Sequence, residues 1–203
     1  MGRNNNRTIA LVALLLGVVG LSVGFAALSS TLSINGSATV QASSWNVFFS
    51  SLSTGTKTGT ANIVTAPSIA SNKLSITGFD VTVKTPKDSV YWTFNVENSG
   101  SYIAKLSSIT KNATPTCTGT GTNATTDAAN VCKYLKYQLI DTTAGTSEAA
   151  TGVTIAAKGT SNGTRSYKLI LTYDSAGAAT ASELPTNPVT ISGLNIAMKF
   201  VQA

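Results

Sequence analysis

The sequence predicts an all-β protein, a single jelly-roll-like β-sandwich of about nine or ten strands behind an N-terminal apolar export segment. Three observations predict it. Apolar residues recur at every second position in short runs, most clearly at Val90, Trp92, Phe94 and Val96. Gly, Asn, Ser and Pro turns separate these runs. One stretch of the mature chain, 176–183, has the makings of a helix, of one or two turns. A hydrophobic content of 42% over 203 residues supplies the core of one medium domain.

The elements follow in chain order. Residues 31–40 alternate through Leu32, Ile34, Ala38 and Val40, and Trp45, Val47 and Phe49 share one face of a second strand. Leu74 and Ile76 have one parity and Phe79, Val81 and Val83 the other, with Gly78 at the switch, as a β-bulge predicts. Asn98-Ser99-Gly100 is expected to turn the strand over 90–96 into a hairpin with 102–109. Leu135, Tyr137 and Leu139 alternate again, and Val153 and Ile155 give a short strand. Asn162-Gly163 signals a turn before Tyr167, Leu169, Leu171 and Tyr173. Ile191, a Ser192-Gly193 break, then Leu194, Ile196, Met198 and Phe200 complete the series.

The first residues carry a different signal. Residues 1–7 are polar and hold Arg3 and Arg7; residues 8–28 are apolar and uncharged. Gly24 stands two places before Ala26, the small-x-small pattern of an export signal, which predicts a cut between Ala26 and Ala27. A retained membrane anchor is the alternative, because the run approaches the roughly 20 residues that span a bilayer. The expected organisation is an export segment over 1–26, an N-terminal strand over 27–42 and the sandwich over 43–203. Cys117 and Cys132 flank a Gly/Thr/Ala-rich stretch expected to be a loop. An even count in an exported chain predicts a disulfide between them. Closing such a loop of about 15 residues is worth roughly 3 kcal/mol.

Composition narrows the chemistry. Histidine is absent, which removes Ser-His-Asp and Cys-His catalysis and histidine-based zinc sites. Charged residues are 11% of the chain, with 31 Thr and 24 Ser in their place. The net charge of +6 falls to +4 without Arg3 and Arg7, and the remaining cations are scattered, so no nucleic-acid partner is expected. The eight carboxylates are scattered too, and no P-loop, EF-hand or dinucleotide fingerprint occurs. The reading is of a protein that is not an enzyme, with no catalytic residues, metal or cofactor. Asn-x-Ser/Thr triplets at Asn35, Asn112, Asn123 and Asn162 mark exposed turns.

Several features occur together in a recognisable order. The export segment runs into VGFAALSSTLSINGSATV and Trp45-Asn46-Val47-Phe48-Phe49; the middle carries Pro86-Lys87-Asp88-Ser89-Val90-Tyr91 and FNVENSGSYIAKLSSI; Tyr173-Asp174, Glu183-Leu184-Pro185 and VTISGLNIAMKFVQA follow. In these features the chain resembles the TasA/camelysin-like family of exported bacterial fibre proteins over nearly its whole length. The resemblance implies a jelly-roll subunit that polymerises outside the cell, often as biofilm matrix, an N-terminal strand of each copy completing the sheet of the next. Its partners would be copies of itself, with a minor accessory or anchoring subunit, and the membrane only through the N-terminal segment before cleavage. Residues 27–40 suit this role, being uncharged and alternating, with Leu28, Leu32, Ile34 and Val40 as the expected inserted face. Pairing of this stretch within its own sheet is the competing reading. The metallopeptidase label attached to camelysin-like proteins does not carry over to a chain without histidine. A second function remains open: a membrane-tethered monomeric surface module that binds glycan or protein. Trp45, Trp92 and Tyr102 on an open face would mark it, whereas burial of both tryptophans is expected.

Overall fold

The computed structural model describes residues 30–34, 45–111, 115–174 and 180–203. The fold is all-β, with several antiparallel sheets packed as a sandwich. Fifteen strand segments occur among the described residues. They begin with β1 (Ser30–Ile34), β2 (Val47–Ser50), β3 (Thr56–Thr58), β4 (Asn62–Ile63), β5 (Ser68–Ile69), β6 (Ile76–Thr77), β7 (Val81–Val83) and β8 (Ser89–Asn98). After β9 (Ala104–Lys111) and β10 (Thr116–Thr118) comes the helix α1 (Ala124–Lys133). Then follow β11 (Leu135–Asp141), β12 (Thr154–Ile155), β13 (Thr164–Tyr173), β14 (Val189–Ser192) and β15 (Ile196–Gln202). The segments outnumber the nine or ten strands expected because short strands of two or three residues, β3, β4, β5 and β10, lie in stretches where no strand was expected.

One layer is centred on β8, in the order β11-β13-β8-β2, with β3 on the other end of β8. β13 and β8 pair without a slip from Thr164 opposite Glu97 to Thr172 opposite Ser89. Their inward residues, among them Trp92, Phe94, Val96, Tyr167, Leu169 and Leu171, are buried at 0–1% exposure, the period-two pattern predicted for this strand.

The facing layer is built on a bent ribbon. β9 pairs with β15 and β10 with β14, and the ladders nearly meet, Lys111 opposite Ile196 and Thr116 opposite Ser192. The break at Ser192-Gly193 is therefore a bend in one run, with Gly193 at φ +70°. β12 flanks β9, while β1 and β7 flank β15 and β14 on the ribbon's other side, and β4 lies outside β7. Ile191, Ile196, Met198 and Phe200 meet the β8 layer in one hydrophobic cluster.

Buried aspartates and asparagines tie the turns down. Thr85-Pro86-Lys87-Asp88 is a β-turn closed by Asp88 N–H donating to the Thr85 carbonyl at 2.9 Å, with Lys87 at φ +73°. The Asp88 carboxylate, 1% exposed, accepts from Thr60 N and Oγ1 (both 2.6 Å) and from Lys84 N and Thr85 N (both 2.8 Å). Gly59 is required beside it, since a Cβ there would stand 2.2 Å from Asp88 Oδ1. Burial by itself raises an aspartate; these four donors outweigh it and hold Asp88 below the usual carboxylate range.

Three expectations are corrected. The stretch between the cysteines contains α1 rather than a loop; Asp127 and Val131, four apart, are its buried face. Strand 102–109 starts at Ala104 and is no hairpin partner of β8, because β8 and β9 belong to opposite layers. Gly78, at φ +89°, is a corner between β6 and β7, which lie in different sheets, and not a bulge within one strand. Of the one- or two-turn helix expected over 176–183, residues 176–179 lie outside the described residues, and Ala181–Glu183 form a 3-10 turn.

Candidate functional site

The stretch read as a candidate donor strand enters the fold at a rim. β1 runs antiparallel to β15, with Ser30 opposite Phe200, Leu32 opposite Met198 and Ile34 opposite Ile196. Two of the four residues named for the inserted face thus hold register positions opposite core residues, since Ile196, Met198 and Phe200 are all 0% exposed. Leu28 and Val40, and the cleavage pair Ala26 and Ala27, lie outside the described residues. The pairing seen is within one chain.

This place has defined limits. β15 pairs with β9 on one side and β1 on the other, so β15 is an interior strand while β1 is in place. Farther along the same flank β7 takes over, opposite β14. Between them lies the bend at 193–195, where Asn195 buries Oδ1 without a hydrogen-bond partner. Residues 30–34 carry no charge, and the one charged residue facing them in register is Lys199, opposite Thr31. β1 and β15 are joined along the ladder by main-chain hydrogen bonding, the mode by which a free strand joins a sheet edge.

The predicted disulfide is present. Cys117 in β10 joins Cys132 in the last turn of α1, with Cα atoms 6.1 Å apart. α1 is also pinned through Asp127, 2% exposed, which accepts from Thr186 Oγ1 at 2.8 Å and Asn187 N at 3.1 Å. Burial opposes the charge on Asp127, but the Thr186 and Asn187 donors prevail and lower it below the ordinary range, with Lys84 helping. The staple and the carboxylate together fasten the helix to β10 and to the segment before β14.

The aromatic residues divide cleanly. Trp45 and Trp92 are buried at 1% and 0%, as expected, and Trp92 meets Phe79 edge-on at 5.1 Å. Tyr102 is 40% exposed. Among the described residues no His/Cys/Asp/Glu group of metal-site size occurs, and no helix is long and apolar enough to cross a membrane.

Two polar assemblies escaped the sequence reading. Asn98, read as part of a turn, is a buried amide that donates to the carbonyls of Tyr102 (2.7 Å) and Ile155 (3.2 Å) and accepts from Gly100 N (3.0 Å). Asp141 ends β11 and accepts from Arg165 Nε at 2.6 Å and from the N–H groups of Thr143 and Ala144, both at 3.1 Å. The latter had a local signal, an Asp two and three residues before the amides it caps. The Asp141–Arg165 partnership spans 24 residues and had none.

Comparison of the chain with family models, with curated proteins and with solved structures finds no match. The fold and this rim define a class all the same: a disulfide-stapled antiparallel β-sandwich with an early strand on the edge of one layer.

Proposed function

We propose that this protein is an exported, non-enzymatic structural subunit that polymerises outside the cell, each copy adding its N-terminal strand to the sheet of the next. The observation that carries this reading is the position of β1, attached through its single ladder to β15 at the rim of the ribbon layer. Without β1, the edge of β15 would present unpaired N–H and C=O groups beside buried Ile196, Met198 and Phe200. The same five residues from a second copy make the same ladder in the same register, so exchange loses no pairing energy. Residues 35–44 connect β1 to Trp45, and a chain of about ten residues reaches at most roughly 33–36 Å, enough to bridge adjoining copies. The disulfide agrees with an oxidising, extracellular setting. Partners are other copies, with an accessory subunit of like fold able to anchor or end the polymer.

Negative-stain electron microscopy tests this. Residues 27–203 should form filaments, and a chain starting at Ser43 should not; adding a 27–42 peptide to the shorter chain should fill the edge and yield discrete particles. Discrete particles from both chains would overturn the reading and favour an anchored monomer.

A further inference from the structure

We propose that the exposed pair Tyr102 and Ile103 is where one copy of this chain packs against the copy that holds its exchanged strand, beside that copy's Val64. The inference rests on the strand exchange proposed above and adds a contact between the two bodies.

Chain direction carries it. β1 runs from Ser30, opposite Phe200, to Ile34, opposite Ile196, so a strand seated on β15 leaves at the Ile196 end. Residues 35–44 then lead to Trp45, which is 1% exposed and anchors the tether in the core of its own copy. Asn46 comes next and is tied to the loop after β8: its carbonyl accepts from Ser99 N at 2.9 Å, and its Nδ2 donates to Ser99 Oγ at 2.6 Å. The buried amide of Asn98 holds the same loop through the Tyr102 carbonyl and Gly100 N. Loop 99–103 therefore flanks the place where the tether joins the body. The opposite end of β8 is ten residues away, about 33 Å, as far as the whole tether reaches when fully extended. The end carrying Tyr102 is thus the one drawn against the receiving copy.

The receiving copy has an exposed apolar side chain beside the exit. β1 and β7 flank the same side of the β14–β15 run, and Val81 stands opposite Ile191. Val64 is held next to that ladder, its N–H donating to the Asp80 carbonyl at 2.8 Å, and lies two strand spacings, about 10 Å, out from β14. Among the described residues four large hydrophobic side chains are exposed. Tyr102 (40%) and Ile103 (48%) stand where the tether joins one body, and Val64 (54%) stands by its exit from the other. A single exposed apolar residue is ordinary; three flanking the two ends of one tether mark a contact that removes them from water. The two faces differ, so the contact is heterologous and repeats from copy to copy.

Two variants of the 27–203 chain, Ile103→Asp and Val64→Asp, test the contact through two readouts. One is filament growth by light scattering; the other is uptake of a labelled 27–42 peptide by the matching chain that starts at Ser43. Each variant should raise the protein concentration needed for growth about tenfold, the loss of one anchoring side chain. Peptide uptake should stay as it was, because the peptide brings no body with it. Ile103→Lys combined with Val64→Asp should grow at a lower concentration than Val64→Asp alone, since the new charges attract across the contact. Growth unchanged in both single variants, with peptide uptake intact, would overturn this contact and leave strand exchange standing. Peptide uptake lost in either variant, or no recovery in the paired one, would overturn it as well. An unaltered protein that forms no filaments would sink the contact whatever the peptide does, and one that also refuses the peptide would sink strand exchange with it.

Discussion

β8 and β1 are both strands of the same sandwich, held in opposite ways. β8 is paired along both edges, to β13 on one and to β2 and β3 on the other, and places five alternate residues in the core. β1 has one five-pair ladder, at a rim. The identity of β8 lies in its side chains: Phe94 meets Phe49 edge-on at 5.5 Å and stacks with Tyr167 at 5.9 Å, contacts that no other segment reproduces. β1 is joined to its one partner strand by a main-chain ladder, with Leu32 and Ile34 in register opposite Met198 and Ile196. The difference teaches where exchange is open in this fold: β8 is committed by pairing on both edges, and β1, with one ladder at a rim, is the strand we propose to be exchanged.

The comparison breaks first in the core. Phe94→Ala should destabilise the body by about 3–5 kcal/mol in denaturant titration, whereas deleting 27–42 should abolish filaments and leave a folded monomer. Reducing the Cys117–Cys132 bond, which closes a separation of 15 residues, should cost about 3 kcal/mol, roughly 6–12 °C in Tm. Filaments should still form under reductant, because the staple sits on β10 and not beside β1.

Acid sharpens the contrast further. Asp88 and Asp127 are both held below their ordinary pKa in the folded chain. Their stabilisation is complete above the unfolded aspartate value and is lost as pH falls through the lowered folded values. Thermal melts should therefore drop below about pH 4, and Asp127→Asn should flatten that drop. Filaments already formed should hold their ladders until the body melts, since residues 30–34 contain nothing that titrates. The smallest effect belongs to the surface pair Lys133–Glu183. The Lys133 ammonium and the Thr180 backbone N–H draw the carboxyl of Glu183 down to about 2, yet both side chains are solvated, and Glu183→Gln should leave the melting temperature unchanged within error.

Much of the architecture was legible because a strand's period is local. Val90 to Val96 and Tyr167 to Tyr173 announce their buried faces without reference to any partner. α1 was not legible. Its buried positions are Asp127 and Val131, and an acidic residue among Thr, Ala and Asn reads as loop until Thr186 and Asn187, nearly 60 residues on, are seen to complete it. The turn after β8 misled for a related reason. Asn98-Ser99-Gly100 has the same composition whether the chain doubles back or crosses to the other layer, and the bond from Asn98 to the Ile155 carbonyl accompanies the crossing.

The sequence by itself determined that the chain is all-β, that Trp45 and Trp92 belong to the core, that Cys117 and Cys132 pair, and that histidine chemistry is absent. Each of these depends on residue type or on spacing within a few positions. Tertiary structure alone decided that β1 lies on β15, that β8 and β9 part into opposite layers, and which aspartates are buried. Those outcomes depend on main-chain hydrogen bonds and burial between residues as distant as Ser30 and Phe200, and a main-chain hydrogen bond is the same for every side chain, so nothing in the order of residues names its partner.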